Sequence, residues 1–258
     1  DVYKRQARCR PRSPMRIWSV WRRCWLSSKV VILWLRFDQY SFQAMNQGDQ
    51  KPLLSIAIPT YKRVSEFSRL IDQLVAEISS LEAEARSLVV LIVYENPSEL
   101  SWEKRQKVDS IDSRLVSIQF NENLSNIGGD ANIEQAYSLT SNSKYVWVIG
   151  DDDQLVAGCL ASILQYMNDA QDVGLFLLRD TSYFIADSIL KLSRWSSYEA
   201  FAKSVVQKQP HLLIAHTLIS SNIVRSDIFS RFASNHERCV LAPRANLPFS
   251  FCLLYTSD

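Results

Sequence analysis

Tyr145-Val146-Trp147-Val148-Ile149-Gly150-Asp151-Asp152-Asp153 is the stretch that decides the fold class of this chain. Its apolar half reads as a buried strand. Three carboxylates follow at once, at the end of the strand where open α/β sheets bind their ligands. Adjacent carboxylates repel: two of them about 5 Å apart, at an effective dielectric near 20, cost roughly 3 kcal/mol. A divalent cation would relieve that repulsion. On the triplet alone, a solvated acidic turn that caps the next helix is the competing reading.

Outward from this strand, apolar runs alternate with helical patterns. Leu53–Ile58 reads as a first strand ended by Pro59. Val64–Leu81 carries Phe67, Leu70, Ile71, Leu74, Val75 and Ile78, the i, i+3, i+4 stripe of an amphipathic helix. Leu88–Tyr94 is a second strand, Ser101–Ser110 a short polar helix and Leu115–Phe120 a third strand. A polar loop, Asn121–Gly128, leads to a helix over Asp130–Leu139. Tyr145–Ile149 is the fourth strand, Leu155–Met167 a helix and Val173–Leu178 a fifth strand. Such alternation predicts an α/β fold, a mostly parallel open sheet with helices on both faces. Crossovers between its parallel strands should be right-handed. Past Asp180 the pattern is weaker. Tyr198–Val206 is helix-like, His211–Ile223 fits strand or helix, and Ser226–Ala233 reads as a short helix.

The chain has 258 residues, 47% of them apolar, enough for a sizeable core. Its net charge of +2 hides an asymmetry. Residues 1–40 hold ten Lys/Arg and two acids; the remainder holds 29 − 10 = 19 bases and 27 − 2 = 25 acids. The domain proper is therefore mildly acidic, and no basic surface argues for nucleic acid. Segment 1–44 carries four of the seven Trp with scattered Arg and Pro and no helical or strand period. Its longest apolar stretch, Val30–Leu35, is far short of the ~20 residues of a membrane helix. Asp1–Gln6 and Leu253–Asp258 resemble read-through of sequencing adapters in metagenomic fragments. We therefore expect a start at Met45, with 1–44 a non-native or disordered leader. Residues 45–180 would form a donor-binding half, 181–251 an incomplete acceptor-side half and 252–258 an artefactual tail, in a chain cut short at its C-terminus. The five Cys form no CxxC pair, and the three His lack metal spacing. This pattern predicts a reducing compartment, the cytoplasm.

Four polar clusters fall at successive strand ends, so a parallel sheet would gather them at one cleft. The first is Pro59-Thr60-Tyr61-Lys62-Arg63, where Tyr61 could stack on a base and Lys62 or Arg63 approach a phosphate. The second holds Glu95 and Asn96; Glu95 could accept from a nucleobase N–H. The third contains Asn126, Gly128, Gly129 and Asp130, with glycines that allow close backbone approach before a helix N-terminus, a favourable place for diphosphate. The fourth is Asp151, Asp152 and Asp153, hard oxygen ligands suited to Mn²⁺ or Mg²⁺. Each cluster also has a plain reading as a solvated turn or helix start.

Leu54–Arg63 resembles the opening strand of family 2 glycosyltransferases, which have the GT-A, or nucleotide-diphospho-sugar transferase, fold. Asn126–Asn132 resembles their loop before the central helix, and Tyr145–Asp153 their DxD segment. The form Gly150–Asp153, with Ser220–Arg225 later, is similar to the abequosyltransferase-like branch. The resemblance covers residues 53–232. It implies inverting, metal-dependent transfer of a sugar from a UDP-, dTDP-, GDP- or CDP-linked donor to a glycan or lipid-linked acceptor. The implied setting is assembly of surface polysaccharide or glycan at the inner membrane face, with peripheral membrane association. By position, Pro59, Thr60, Tyr61 and Arg63 would line the nucleotide pocket, and Glu95 would stand where the family has a base-reading Asp. The triplet would hold ribose and metal, its individual roles open. The catalytic base would lie downstream; Glu237 is a weak candidate for it, and the base is left unassigned. Two alternatives are a nucleotidyltransferase, although Pro59–Arg63 lacks the glycines of its phosphate loop, and a non-catalytic nucleotide-sugar-binding module.

Overall fold

In the computed structural model, residues 30–36, 51–140, 142–169, 173–180, 194–195 and 219–227 are described. The elements are β1 (Val30–Arg36), β2 (Leu54–Thr60), α1 (Val64–Ser79), α2 (Ala83–Arg86), β3 (Val89–Glu95), α3 (Ser101–Asp109) and β4 (Ser117–Glu122). They continue with α4 (Gly129–Leu139), β5 (Tyr145–Val148), α5 (Cys159–Asp169), β6 (Val173–Asp180), β7 (Arg194–Trp195) and β8 (Asn222–Arg225); a 3₁₀ turn, Ile219–Ser221, leads into β8.

Among the described residues these strands form one sheet, ordered β4-β3-β2-β5-β8-β6-β1-β7. β4, β3, β2 and β5 are mutually parallel. β8 inserts antiparallel between β5 and β6, so β6 runs in the same sense as β2. The sheet is thus mostly parallel, as the alternation of strands and helices predicts. β3 lies on one side of β2 and β5 on the other, which makes the carboxyl edge between β2 and β5 a topological switch point.

Alternation along the strands sorts side chains onto two faces. Leu54, Ile56 and Ile58 of β2 join Leu91, Val93, Tyr145 and Trp147 in a core that takes Phe67, Leu70, Ile71, Leu74 and Ile78 from α1. α5 adds Leu160, Ile163 and Met167 to the same core. On the other face, the small Ser55 and Ala57 let α4 lie close against β2. Helices therefore cover both faces of the parallel half.

Three expectations shift. Pro59 does not end β2 but lies within it. Alternate residues of β2 bond to β3 and to β5: the Thr60 carbonyl accepts from Asn96, and the Ala57 carbonyl from Ile149. The Pro59 nitrogen therefore faces the β5 side, beyond the last paired residue Ala57, where no ladder donor is needed. The helix expected from Leu155 begins at Cys159, because Gly158 turns the chain at φ 76°. Glu77 of α1 then accepts from the amides of Gly158 and Leu160 at 2.7 and 3.1 Å, capping α5 from a neighbouring helix. Val30–Arg36, within the segment read as lacking any period, pairs with β6 from Val30↔Asp180 to Leu35↔Leu175. A strand built from an unbroken apolar run carries no alternation to detect. Of the weaker C-terminal readings, Asn222–Arg225 resolves as strand; residues 198–206 and 228–233 lie outside the described residues. Among the described residues, no helix is long and apolar enough to cross a membrane.

Candidate functional site

The carboxyl ends of β2, β3 and β5 meet at the switch point, tied by hydrogen bonds. β2 delivers Thr60 and then turns through Tyr61, Lys62 and Arg63 into α1. Lys62 has φ 63°, a left-handed backbone that costs an L-residue on the order of 1–2 kcal/mol. This turn exposes Tyr61 and Lys62 and sends the Arg63 guanidinium to the triplet. Arg63 lies 3.1 Å from Asp151 Oδ1 and 2.8 Å from Asp152 Oδ2, bridging the two carboxylates. Arg69 of α1 donates to the Asp152 carbonyl at 3.2 Å.

Beneath this bridge lies a buried polar chain. The Thr60 hydroxyl donates to Asp151 Oδ2 at 2.8 Å. Lys104 of α3 donates to Thr60 Oγ1 at 3.1 Å and to Glu95 Oε2 at 2.6 Å. The Ser101 hydroxyl donates to the other Glu95 oxygen at 2.8 Å. Glu95 and Lys104 are both 0% exposed. Burial pushes the Glu95 carboxyl above its ordinary range, against the pull of Lys104 and Ser101. Glu95 is therefore not open to a nucleobase: both of its oxygens are engaged inside the protein. The reason is Lys104, a cation that comes up from a helix with no apolar stripe to announce an inward face.

The third cluster is held by amide side chains. Asn96 donates through Nδ2 to the Gly128 carbonyl at 3.2 Å, and its Oδ1 accepts from the Ile127 amide and from Asn123 Nδ2. Asn123 also donates to Asn132 Oδ1 and accepts from Gln135 Nε2. Asn132 in turn donates to the Tyr94 carbonyl at 2.9 Å. Asn126 Oδ1 accepts from the Gly128 amide at 2.9 Å. Gly128 adopts φ 85°, and the chain enters α4 at Gly129 with Asp130 exposed in its first turn. The network fixes the N-terminus of α4 beside the ends of β2 and β3.

The three aspartates diverge. Asp151 points inward to Thr60 and Arg63. Burial raises its pKa, partly opposed by the Thr60 hydrogen bond and the Arg63 charge. Asp152 is exposed and paired with Arg63. Asp153 folds back: its Oδ2 accepts from the Gly150 amide at 2.9 Å and, closely, from the Ser220 hydroxyl. Burial pushes Asp153 up to about 6 despite those bonds. Among the described residues, no three His, Cys, Asp or Glu side chains converge on one point. A cage of three aspartates around one cation therefore does not fit; the Arg63 guanidinium already offsets the repulsion between Asp151 and Asp152. One or two of these carboxylates offer the hard oxygen donors that a divalent cation takes, alongside other oxygen ligands.

The structure thus gathers Pro59, Thr60, Arg63, Glu95, Asn96, Gly128 and the triplet into one connected region. Two participants were missed. Lys104 sits in a helix that reads as wholly polar. Ser220 arrives from the 3₁₀ turn before β8, donates to Asp153, and accepts from the Trp147 indole on its carbonyl at 2.8 Å. Neither carries a local signal, although Ser220 lies in one of the stretches that resemble the family. Glu237 and the three His lie outside the described residues.

No protein-family model and no curated protein matches the chain by sequence. Solved structures match it by shape. The crystal structure of S. aureus TarS 1–349 superposes with a TM-score of 0.51 at 11% identity, over 78% of this chain and 55% of that one. TarS 1–349 in complex with UDP gives 0.49 at 11% identity, over 76% and 53%. The mannosyltransferase PcManGT from Pyrobaculum calidifontis, in complex with GDP-Man and Mn²⁺, gives 0.46 at 11% identity, over 84% and 53%. The chain spans about half the length of these structures. Sheet order, helix placement and the likeness to TarS 1–349 together define the architecture: the chain has the GT-A type of α/β fold.

Proposed function

We propose that this chain is a glycosyltransferase that takes a nucleoside-diphosphate sugar and passes the sugar to an acceptor hydroxyl. The observation that carries this reading is the hydrogen-bonded junction of four strand-end clusters at the β2/β5 switch point of a GT-A fold. Tyr61, 39% exposed, offers a ring for a nucleobase. Pro59 and Arg63 would flank the nucleotide, with Thr60 buried behind them. The α4 N-terminus at Gly128–Gly129 suits a diphosphate, because its amides and dipole favour negative charge. Asp152 and Asp153 would hold Mn²⁺ or Mg²⁺ together with diphosphate oxygens, and the cation would offset charge on the leaving group. Asp151 acts differently: it ties Arg63 to the buried Thr60 hydroxyl. An inverting displacement also needs a base for the acceptor proton. That base stays unassigned, and Glu237, outside the described residues, is the sequence candidate for it. The acceptor, a glycan or lipid-linked glycan, and family 2 membership rest on the motif resemblance.

The test is a thermal-shift series with UDP, GDP, CDP and dTDP, each with and without Mn²⁺. A ligand at 100 times its Kd stabilises a fold by about 2.7 kcal/mol. A shift with one nucleotide, enhanced by Mn²⁺ and lost in Asp153→Asn, supports the reading. A folded protein that responds to none of the four overturns it. Release of diphosphate from a nucleoside triphosphate would favour a nucleotidyltransferase instead.

A further inference from the structure

We propose that Lys104 is a positioning residue of the donor site and that Glu95 is its counter-charge, not a reader of the nucleobase. The inference rests on the donor-site reading above. Lys104 touches no exposed surface. It acts through Thr60. Because Lys104 donates to Thr60 Oγ1, the single hydroxyl proton of Thr60 is left to donate to Asp151 Oδ2. Asp151 is thereby held with its other oxygen toward Arg63, an exposed cation of the site. The relay runs Glu95, Lys104, Thr60, Asp151, Arg63, and a described partner engages each group in it. Such networks specify orientation when every member is satisfied. Stability alone is a poor reason to keep the pair, since apolar or neutral replacements of a buried ion pair are often no worse. Its place directly under the strand end that presents Thr60 supplies the better reason. Phe67 closes the remaining side, 5.8 Å from the Lys104 ammonium.

The experiment measures nucleotide dissociation constants, with Mn²⁺, for wild type, Lys104→Met/Glu95→Gln, Thr60→Val and the triple variant. The double variant removes both charges together, so no buried charge is left unpaired. We expect it to keep near-wild-type stability yet bind the preferred nucleotide about tenfold more weakly, a coupling typical of residues in one network. Thr60→Val should show a similar loss, and the triple variant no further loss. The order of preference among UDP, GDP, CDP and dTDP should not change. Wild-type affinity in the folded double variant would overturn the positioning role while leaving the donor site standing. A changed base preference would return Glu95 to base reading and also overturn it. If the double variant fails to fold, Thr60→Val decides: wild-type affinity there overturns the relay, and a tenfold loss at unchanged stability supports it. If wild type binds none of the nucleotides, the donor-site reading falls and takes this inference with it.

Discussion

Asp153 shows how little a residue's identity says about its role. The triplet stands out in the sequence as three like charges. In the folded chain one faces inward, one faces solvent and one folds back on Gly150 and Ser220. Asp153 is held up at about 6, above its ordinary 3.8, chiefly by burial. The folded state therefore binds this proton more tightly than the unfolded chain. Its contribution to stability is full below about pH 4 and is lost as pH rises through about 6. Without added metal, Asp153→Asn should thus gain stability over wild type between pH 4 and pH 7, by roughly 2–3 kcal/mol. Urea unfolding of both proteins across that range measures it; a constant difference would refute the assignment. The carboxylates were legible because charge next to an apolar strand is a local pattern. Lys104 was not, because its burial depends on a counter-charge at the end of β3, nine residues back, and on a hydroxyl from β2, 44 residues back, and only the packing of α3 on the sheet brings the three together.

At the scale of elements, the entry to α4 separates two adjacent glycines. Gly128 has φ 85°, and a Cβ there would meet nothing within 4 Å. Gly129 is the first residue of the helix and is equally open. With ψ 163° Gly128 lies in a region of backbone space that is essentially glycine's alone, so Gly128→Ala should cost on the order of 1–3 kcal/mol through backbone strain. Gly129→Ala should be neutral or stabilising by up to about 1 kcal/mol, since Ala is favoured in helices. Equal effects in chemical denaturation would show that the turn is not as described. The α1 stripe was readable because period and burial coincide: Phe67, Leu70, Ile71, Leu74 and Ile78 all enter the core. Boundaries were less readable where a distant group sets them. Glu77 caps α5 from α1, and β2 runs through Pro59 because β5 has already ended beside it.

Across the whole molecule, stability concentrates in the middle of the sheet. β3 is buried along its full length between β2 and β4, whereas β4 is largely exposed. Amide hydrogen exchange should be slowest in β2, β3 and β5 and should reach β4 by a lower-energy opening. Protection in β4 equal to that in β3 would contradict the sheet order. Sequence by itself determined the alternation of strands and helices, the α/β class and the four polar strand ends. Those follow from side-chain period and from residue types that stop a strand, both local properties. Tertiary structure alone decided that β8 inserts antiparallel beside β5 and brings Ser220 onto Asp153. It alone turned Glu95 inward onto Lys104 and set Arg63 between two aspartates. The reason is physical: a charge shows in the chain, but its partner is chosen by strand order and helix packing, which join residues from nine to 88 positions apart.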